Sequence, residues 1–270
     1  MTRPRTPTYH LRHGTGSLLV SIPHGGTKLP KDIAERLNEE GRLLRDTDWH
    51  LSQLYNFLVD KNVTVIEAAS SRTVIDLNRQ PDASPLYPGS NESALCPTTT
   101  FDGTPIYRPG AAPDASEIAR RLELYWEPYH QALWAELTRI KSVHGFAVLL
   151  DAHSIRPRVL RLFDGVLPDL NIGTNNGRAC SAALSDLVMA CLTEFHHYSS
   201  VLNGRFKGGA ITRRYGAPDK GVHALQLELS QTCYMACDPP FPFDAEKAAL
   251  LSPVLQDLVD VLTAFNPGIR

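Results

Sequence analysis

Short apolar runs of the kind found in buried β-strands alternate along this chain with longer stretches of helical periodicity. The run at residues 146–150 is continuously apolar, which is typical of a strand in a parallel sheet that is covered on both faces. This alternation predicts an α/β fold with a mixed, mostly parallel central sheet and helices on both faces. The predicted strands are residues 17–22, 63–66, 73–77, 146–150 and 223–230. The predicted helices are residues 48–60, 116–141 (with Ser116 as N-cap), 177–195 and 244–265.

The composition of the 270 residues indicates a globular chain, since 43% are hydrophobic and 21% are charged. The formal net charge of −2 argues against nucleic acid or an anionic membrane as the main partner. No run reaches the ~18 apolar residues of a membrane span, and residues 1–13 are too polar for a secretory signal. The five cysteines are scattered, which favours reduced thiols over a disulfide framework. We therefore expect a cytoplasmic protein.

Residues 80–113 interrupt the pattern of strands and helices. They hold seven of the 20 prolines, several glycines and little periodicity. A loop of that length in a compact domain is usually functional, and the strand and helix signals resume after it. We therefore expect a single domain over residues 1–270, with a Pro-rich loop at about 80–113 that borders the active site.

Polar side chains lie at the ends of several predicted strands. In open α/β sheets, ligands bind beyond the carboxyl ends of the strands, so polar residues at these ends are candidates for a site. The residues at or near these ends are His24, Asn78, Arg79, Asp151, His153 and Glu228.

His24 and His153 occupy equivalent positions at two strand ends, and Gly25-Gly26 follows the first. Glycine allows the backbone to approach a ligand or metal closely. Two histidines and one carboxylate, with water in the fourth position, are a common catalytic zinc set. The sequence therefore predicts one divalent transition metal, with zinc preferred and cobalt or another ion as alternatives.

The third metal ligand is expected to be a carboxylate, and we favour Asp48. Asp46 and His50 compete for this role, and Asp46 or Thr47 alternatively caps the helix predicted at residue 48. Asp151 lies two residues before His153, so strand alternation places both on one side. Asp151 is therefore a candidate to support the imidazole from behind.

Several cations predict an anionic substrate. The Asn78-Arg79 pair suits a carboxylate because a guanidinium binds both oxygens in a fork, and Arg72 adds a second positive charge. Residues 203–216 form a loop rich in glycine and cations, in which Arg213 and Lys207 are preferred over Arg205 and Arg214.

Glu228 lies in an otherwise apolar strand. A buried glutamate is costly unless it has a partner, so this residue is either an outward-facing side chain of an edge strand or a functional group. The functional interpretation is a general base that takes a proton from a metal-activated water.

Six motifs occur in a characteristic order. They are SIPHGG, RDTDWH, SRTVIDLNR, LLDAHS, KGGAITRRYG and LQLELSQ. This ordered set resembles the N-formylglutamate amidohydrolase family from about residue 8 to residue 265. The family is related more distantly to the zinc carboxypeptidases and to aspartoacylase, so the resemblance implies a zinc carboxypeptidase-like fold of the phosphorylase/hydrolase class.

The resemblance also implies roles for individual residues. Aspartoacylase has a similar DLNR segment whose Asn and Arg hold the substrate carboxylate, which implies the same task for Asn78 and Arg79. Carboxypeptidases use an HxxE motif whose Glu is a metal ligand, whereas residues 24–27 read HGGT. The carboxylate ligand must then come from elsewhere, which supports Asp48.

The activity implied by the resemblance is metal-dependent hydrolysis of N-formyl-L-glutamate to formate and L-glutamate, in histidine degradation. Glu228 looks like the late catalytic Glu of the relatives, and Arg72, by analogy, stabilises the tetrahedral oxyanion. The residues expected to hold the two substrate carboxylates are Asn78, Arg79, Arg213 and Lys207.

Two other functions remain open at this point. The first is a related N-acyl-amino-acid amidohydrolase or carboxypeptidase. The second is a non-catalytic module on the same fold that binds an amino-acid derivative. The expected partner is a small dicarboxylate, with no nucleic acid and no membrane, and the sequence predicts no particular oligomeric state.

Overall fold

Seven β-strands form one sheet in the part of the chain that the computed structural model describes, which is residues 7–82, 84 and 92–268. The strands are β1 (Tyr9–Arg12), β2 (Leu18–Ile22), β3 (Thr64–Ala68), β4 (Ala147–Ile155), β5 (Leu170–Gly173), β6 (Ser200–Leu202) and β7 (Val222–Ser230). Their order is β1-β3-β2-β4-β7-β5-β6. The β1/β3 and β5/β7 pairs are antiparallel and the others are parallel. The predicted mixed, mostly parallel sheet is therefore confirmed.

Eight α-helices occur within the same described ranges. They are α1 (Lys31–Ala34), α2 (Glu39–Arg42), α3 (Leu51–Leu54), α4 (Ala115–Arg121), α5 (Glu127–His144), α6 (Ala182–Thr193), α7 (Ala210–Tyr215) and α8 (Ala245–Ala264). A π-helical turn at Leu122–Trp126 joins α4 to α5. Asp114, and not the predicted Ser116, caps α4, because the Asp114 side chain accepts a hydrogen bond from Glu117 N. Among the helices that the structure describes, none has the length and apolar character needed to cross a bilayer.

The two faces of the sheet are covered by different helices. On one face, Leu19 and Leu149 form a buried core with Tyr129 and Leu133 of α5. The core on the other face joins β2, β4 and β7 to α6 and α8, and it includes Val20, Leu150, Leu227, Val188 and Leu255. Burial of each such aliphatic side chain is worth about 1.5–3 kcal/mol relative to exposure. The predicted helices on both faces are therefore confirmed.

The face that packs on α5 changes from apolar to polar towards the carboxyl ends of its strands. Ser21 pairs with Asp151, Asp151 pairs with Gln226, and His153 pairs with Glu228. Paired residues on neighbouring strands point to the same face, so these five side chains lie side by side. All five are buried. The register of β2, β4 and β7 thus places a polar cluster at one end of an otherwise apolar face.

The strand predicted at residues 73–77 is wrong, because this segment forms turns outside the sheet. Val74 and Ile75 are buried in the core next to α5, which accounts for the β-branched run. The backbone bonds in a non-ladder pattern, since Asp76 N donates to Leu95 O at 2.7 Å. A run of β-branched residues reflects burial as much as strand pairing.

The helix predicted at residues 48–60 is much shorter. It begins at Leu51, and a short 3₁₀ helix follows it. His50 has a left-handed backbone with φ of 63°, and Asp48 N donates to His24 O at 3.1 Å. These two features hold the preceding backbone in a non-helical path.

The described part of the Pro-rich stretch packs against the residues that precede α3. Phe101 N donates to Asp46 Oδ2 at 2.7 Å, which ties this stretch to the segment between α2 and α3. Residues 83 and 85–91 of the predicted loop lie outside the described residues.

Candidate active site

Two histidines and one aspartate from separate segments meet at the polar end of the sheet. His24 follows β2, Asp48 lies between α2 and α3, and His153 lies in β4. Asp48 Oδ2 is 3.0 Å from His153 Nδ1 and 3.7 Å from His24 Nδ1. All three residues are buried, and one potential ligand atom from each lies within 4.8 Å of the others. The structure thus brings together the predicted ligands in a group that could hold a metal ion.

In each imidazole, Nδ1 approaches Asp48 and Nε2 contacts a second carboxylate. His24 Nε2 is 2.7 Å from Asp76 Oδ1, and His153 Nε2 is 3.0 Å from Asp151 Oδ2. A carboxylate beside Nε2 keeps the proton on that nitrogen and leaves the lone pair of Nδ1 to bind a metal ion. Both Nδ1 atoms are the ones that approach Asp48, so the donor set suits a transition metal.

The charges around the two imidazoles differ. Burial lowers the pKa of His24, and Arg72 lowers it further, which favours the neutral ring that a metal ligand requires. Burial also acts to lower the pKa of His153, but Asp151 and Asp48 raise it well above the ordinary value. The surroundings of His153 therefore favour a positive charge, which a proton or a cation can supply.

Asp46 and His50, the competing ligands, lie outside this group. Asp46 accepts hydrogen bonds from Phe101 N and from Arg156 Nη2, the latter at 3.3 Å. His50 Nε2 is 2.7 Å from Phe241 O and the residue immediately precedes α3. Asp46 therefore ties two loops together, and neither it nor Thr47 caps α3.

Gly26, the second glycine of the Gly25-Gly26 pair, has a structural explanation that differs from the predicted approach to a ligand. A Cβ on Gly26 would lie 2.5 Å from both Ala68 O and Ser70 O. The backbone after β2 therefore runs directly against the end of β3, and only glycine fits there.

Arg72 places a buried positive charge beside His24. Its Nη2 donates to Asp76 Oδ2 at 2.6 Å, its Nη1 is 3.2 Å from His24 Nδ1, and its guanidinium lies 4.6 Å from the centre of the Phe101 ring. Burial alone would raise the pKa of Asp76, but Arg72 and His24 hold it well below the usual range. Arg72 and His24 thus favour the ionised form of Asp76, which contacts both of them.

Asn78 connects His153 and Asp151 to α7. Its Nδ2 lies 3.2 Å from Asp151 Oδ2 and 2.9 Å from His153 Nε2, and its Oδ1 accepts a hydrogen bond from Ile211 N at 2.8 Å. The side chain lines a small cavity beside His153, but both ends of its amide already have protein partners. Its predicted contact with a substrate carboxylate stays a prediction.

Arg79 points along the Pro-rich stretch. Its Nη1 donates to Glu92 Oε2 at 3.1 Å, and its Nε donates to Ser93 Oγ at 3.2 Å. Ser93 Oγ in turn donates to Asp76 Oδ2 at 3.2 Å. The guanidinium therefore lies between Asp76 and the predicted Pro-rich loop. Arg79 also lines the cavity.

Glu228 is buried on β7, directly across the strand pair from His153. Because β7 lies between β4 and β5, the alternative of an outward-facing side chain on an edge strand is wrong. Burial raises the pKa of Glu228 to about 8; His153 opposes this shift and Asp48 reinforces it. Gln226 Nε2 donates to Glu228 Oε2 at 2.8 Å.

Lys207 and Arg213 lie on either side of Gly209 in the sequence, and neither is among the residues that line the cavity. Arg213 lies in α7, and its Nε donates to Gly208 O at 2.9 Å. Lys207 lies before α7, and its carbonyl accepts a hydrogen bond from Asn175 N at 2.6 Å. Gly209, from the same segment, does line the cavity.

The cavity that the other candidate residues line is small, with a volume of about 80 Å³. Its lining includes His24, Arg72, Asp76, Asn78, Arg79, His153, Gln226 and Glu228, with Phe101 and Ile155 as the apolar part. A groove of about 600 Å³ between α5 and α7 is larger, and Trp126, Trp134 and Tyr215 are among its lining residues. We assign the site to the small cavity because the titratable groups with shifted pKa values converge there.

Sequence reasoning missed two residues of this site. The sequence did indicate Asp76, because it begins the DLNR segment in which Asn78 and Arg79 were predicted to bind the substrate. It also indicated Gln226, because this residue lies two residues before Glu228 and strand alternation places both on one face.

The sequence matches known proteins over most of its length. Residues 16–235 match the family model described as N-formylglutamate amidohydrolase. A Pseudomonas aeruginosa protein named N-formylglutamate deformylase is 47% identical over 255 residues, which are 94% of this chain and 96% of that protein. A Pseudomonas putida protein with the same name is 47% identical over 249 residues, which are 92% and 93% of the two chains.

Solved structures resemble this fold as well. The N-formylglutamate amidohydrolase of Ralstonia eutropha JMP134 has a TM-score of 0.81 and 26% identity, covering 94% of this chain and 97% of that one. A gene product of Agrobacterium tumefaciens shares the fold with a TM-score of 0.72 at 18% identity, covering 96% of each chain. With the family model matched over most of its length, the chain belongs to the N-formylglutamate amidohydrolase family.

Proposed function

We propose that this protein hydrolyses the formamide bond of N-formyl-L-glutamate to give formate and L-glutamate. The observation that carries the proposal is the buried group of His24, Asp48 and His153, which adjoins a cavity that Glu228 also lines. Relatives that are 47% identical and named N-formylglutamate deformylase support the choice of substrate.

The proposed cofactor is one divalent transition metal, zinc in the first place, with cobalt or another ion as alternatives. His24 Nδ1, Asp48 and His153 Nδ1 would hold it, because these atoms face one another in a buried site. When bound, the ion polarises the formyl carbonyl and lowers the pKa of a water molecule to about 7.

Glu228 moves the proton that hydrolysis requires. The water oxygen attacks the formyl carbon, the C–N bond breaks, and the proton lost by the water reaches the leaving nitrogen through a Glu228 carboxylate oxygen. The position of Glu228 opposite His153 in the β4/β7 pair supports this role. A cation held by His24, Asp48 and His153 would lower the raised pKa of Glu228 and favour the ionised carboxylate that a base needs.

Arg72 is the residue that we assign to the negative charge that develops on the formyl oxygen. A fixed positive charge in a buried site stabilises such an oxyanion strongly because little solvent screens it. The place of Arg72 in the lining of the cavity, next to His24, supports this role.

The two substrate carboxylates are assigned to two cationic regions. Arg79, with Asn78, would hold one of them, and Arg79 would exchange its bond to Glu92 for a fork to the substrate. Arg213 or Lys207 would hold the other carboxylate from the segment that reaches the cavity at Gly209.

We further propose that residues 1–270 act as one α/β metallohydrolase domain whose Pro-rich loop borders the active site. Contacts of Phe101 with Arg72, and of Ser93 with Arg79, support the loop's place at the border. The cytoplasm is the proposed compartment, since unpaired, scattered cysteines suit a reducing environment. Histidine degradation is the proposed pathway, and a small dicarboxylate, not nucleic acid or a membrane, is the proposed partner.

Release of a free amino group tests the proposal, measured with N-formyl-L-glutamate, N-acetyl-L-aspartate and a dipeptide as alternative substrates. We expect hydrolysis to be fastest with N-formyl-L-glutamate, which also yields formate, and we expect it to stop after chelation and to return with zinc or cobalt. Preference for either alternative would replace the proposed substrate. Full activity in chelated protein that holds no stoichiometric metal would refute the metal assignment but leave the substrate assignment intact.

A further inference from the structure

A buried glutamine of β7 joins Glu228 to the loop before α7. Gln226 is only 4% exposed and lines the cavity. Its Nε2 donates to Glu228 Oε2 at 2.8 Å, and its Oε1 accepts a hydrogen bond from Gly209 N at 2.7 Å. Both ends of the amide are therefore used at once, one by the proposed base and one by the backbone of the loop.

Gly209 determines which way this amide points. A backbone N–H can only donate, so it selects the oxygen end of Gln226 and turns the NH₂ group towards Glu228. Gly209 is itself confined, because a Cβ there would lie 2.3 Å from Asn78 Nδ2. The next segment is fixed by the hydrogen bond from Ile211 N to Asn78 Oδ1.

The bond from Gln226 restrains a side chain that is otherwise flexible. A glutamate has several rotatable bonds, and a hydrogen bond to one carboxyl oxygen restricts them. Because Oε2 accepts the bond from Gln226, Oε1 is the oxygen that is left to exchange a proton with water and substrate.

We propose that Gln226 is a positioning residue for Glu228. Its amide holds the carboxylate in the orientation for proton transfer, and the contact with Gly209 makes that orientation depend on how the loop before α7 is docked. The inference rests on the proposed function, in which Glu228 is the base.

Two variants separate the two ends of the amide. Gln226→Leu removes both hydrogen bonds, whereas Gln226→Glu keeps an oxygen for Gly209 N and places a second oxygen against Glu228. We expect each to lower kcat about 10–100-fold, a part of the 10²–10⁴-fold that a general base contributes. For Gln226→Leu, KM and metal affinity should stay within about threefold of wild type, because this variant neither alters the proposed ligands nor adds a charge beside them. Gln256→Leu is the control, since Gln256 bonds Ser252 on α8 and should leave kcat unchanged.

A double-mutant cycle with Glu228→Gln tests whether Gln226 acts through Glu228. Single-turnover formate release is measured for wild type, Gln226→Leu, Glu228→Gln and the double variant, with Gln226→Glu replacing Gln226→Leu if the latter does not fold. We expect the Gln226 substitution to have little further effect once Glu228 is replaced.

Three results would overturn the inference: wild-type kcat in both Gln226 variants, a rise in KM in place of a fall in kcat, or effects that multiply in the double variant. A wild-type protein that releases no formate, or a fully active Glu228→Gln variant, would refute the proposed function, and the inference with it.

Discussion

Replacing Asp151 by Asn would test the proposed binding of a metal ion by His24, Asp48 and His153. Asp151 is completely buried and accepts hydrogen bonds from Ser21 Oγ at 3.1 Å and Asn78 Nδ2 at 3.2 Å, while His153 Nε2 lies 3.0 Å away. Asparagine keeps the shape of the side chain but removes its charge. Without that charge, the His153 ring is a weaker donor through Nδ1 and is held less firmly.

The expected loss can be calculated from this single contact. Removing the carboxylate behind a ligating histidine typically costs about 10–100-fold in metal affinity, which is about 1.4–2.7 kcal/mol. A metal at 100 times its Kd stabilises the folded protein by about 2.7 kcal/mol, and a 10- to 100-fold weaker Kd would remove about 1.3–2.3 kcal/mol of that stabilisation. At roughly 2–4 °C per kcal/mol, the rise in Tm on adding metal should shrink by about 3–9 °C.

Two measurements would check this prediction. Competition with a chromophoric chelator gives the zinc affinity, and thermal unfolding with and without zinc gives the change in Tm. Asp169→Asn is the matched control, because Asp169 bonds Ser199 near the start of β5 and lies outside the metal group. If folded Asp151→Asn protein bound zinc within about twofold of wild type, the role given to the carboxylates beside Nε2 would be refuted.

Three more predictions concern the base, the substrate carboxylate and pH. Glu228→Gln should lower kcat by about 10²–10⁴-fold with metal content unchanged in elemental analysis, and near-normal turnover would exclude it as the base. Arg79→Ala should raise KM for N-formyl-L-glutamate by about 10–100-fold and affect an uncharged formamide far less, so equal effects would show that Arg79 does not bind the carboxylate. Burial lowers the pKa of His130 from 6.5 to about 4, so the unfolded chain takes up the proton first as the pH falls. Neutral His130 therefore makes its full contribution to the free energy of unfolding above pH 6.5, and up to about 3 kcal/mol is lost as the pH falls towards 4. In urea unfolding, His130→Gln should make the free energy of unfolding depend less on pH between 6.5 and 4.

The sheet and its polar end follow from local sequence signals. An apolar run such as residues 146–150 identifies a buried strand by itself, and the polar residues at its end then lie at the ligand-binding edge. Alternation with a period of two places Asp151 and His153 on one face without any knowledge of other strands. His24 is located in the same way from the run at residues 17–22.

The segment at residues 73–77 shows why the other part of the site was harder to predict. Its β-branched residues suggested a strand, but they are buried by contacts with residues distant in the sequence. The predicted placement of Asn78 and Arg79 near the site rested on that strand, whereas the structure puts them there through turns. Asp76 is fixed by His24 and Arg72, a combination that no local pattern reveals.

The same limit applies to Asp48 and Gln226. Asp46 and Asp48 cannot be distinguished by residue type, and only their partners in the fold tell them apart. Asp46 accepts a hydrogen bond from Phe101 N, whereas Asp48 contacts His153 and accepts a hydrogen bond from Ser154 N. The contact between Gln226 and Gly209 joins two segments that no periodicity relates.

Charge balance favours a cation at the group formed by His24, Asp48 and His153. Arg72 lies 2.6 Å from Asp76 and offsets its charge, but it comes no closer to Asp48 than 3.9 Å. Asp48 and Asp151 therefore adjoin His153 as two buried carboxylates, and burial of charges that are not compensated is costly. A neutral pair of imidazoles leaves this group at about −2, which a divalent ion would neutralise. A proton on His153 compensates one of these charges, in line with the upward shift of its pKa, so metal binding should release a proton from this residue.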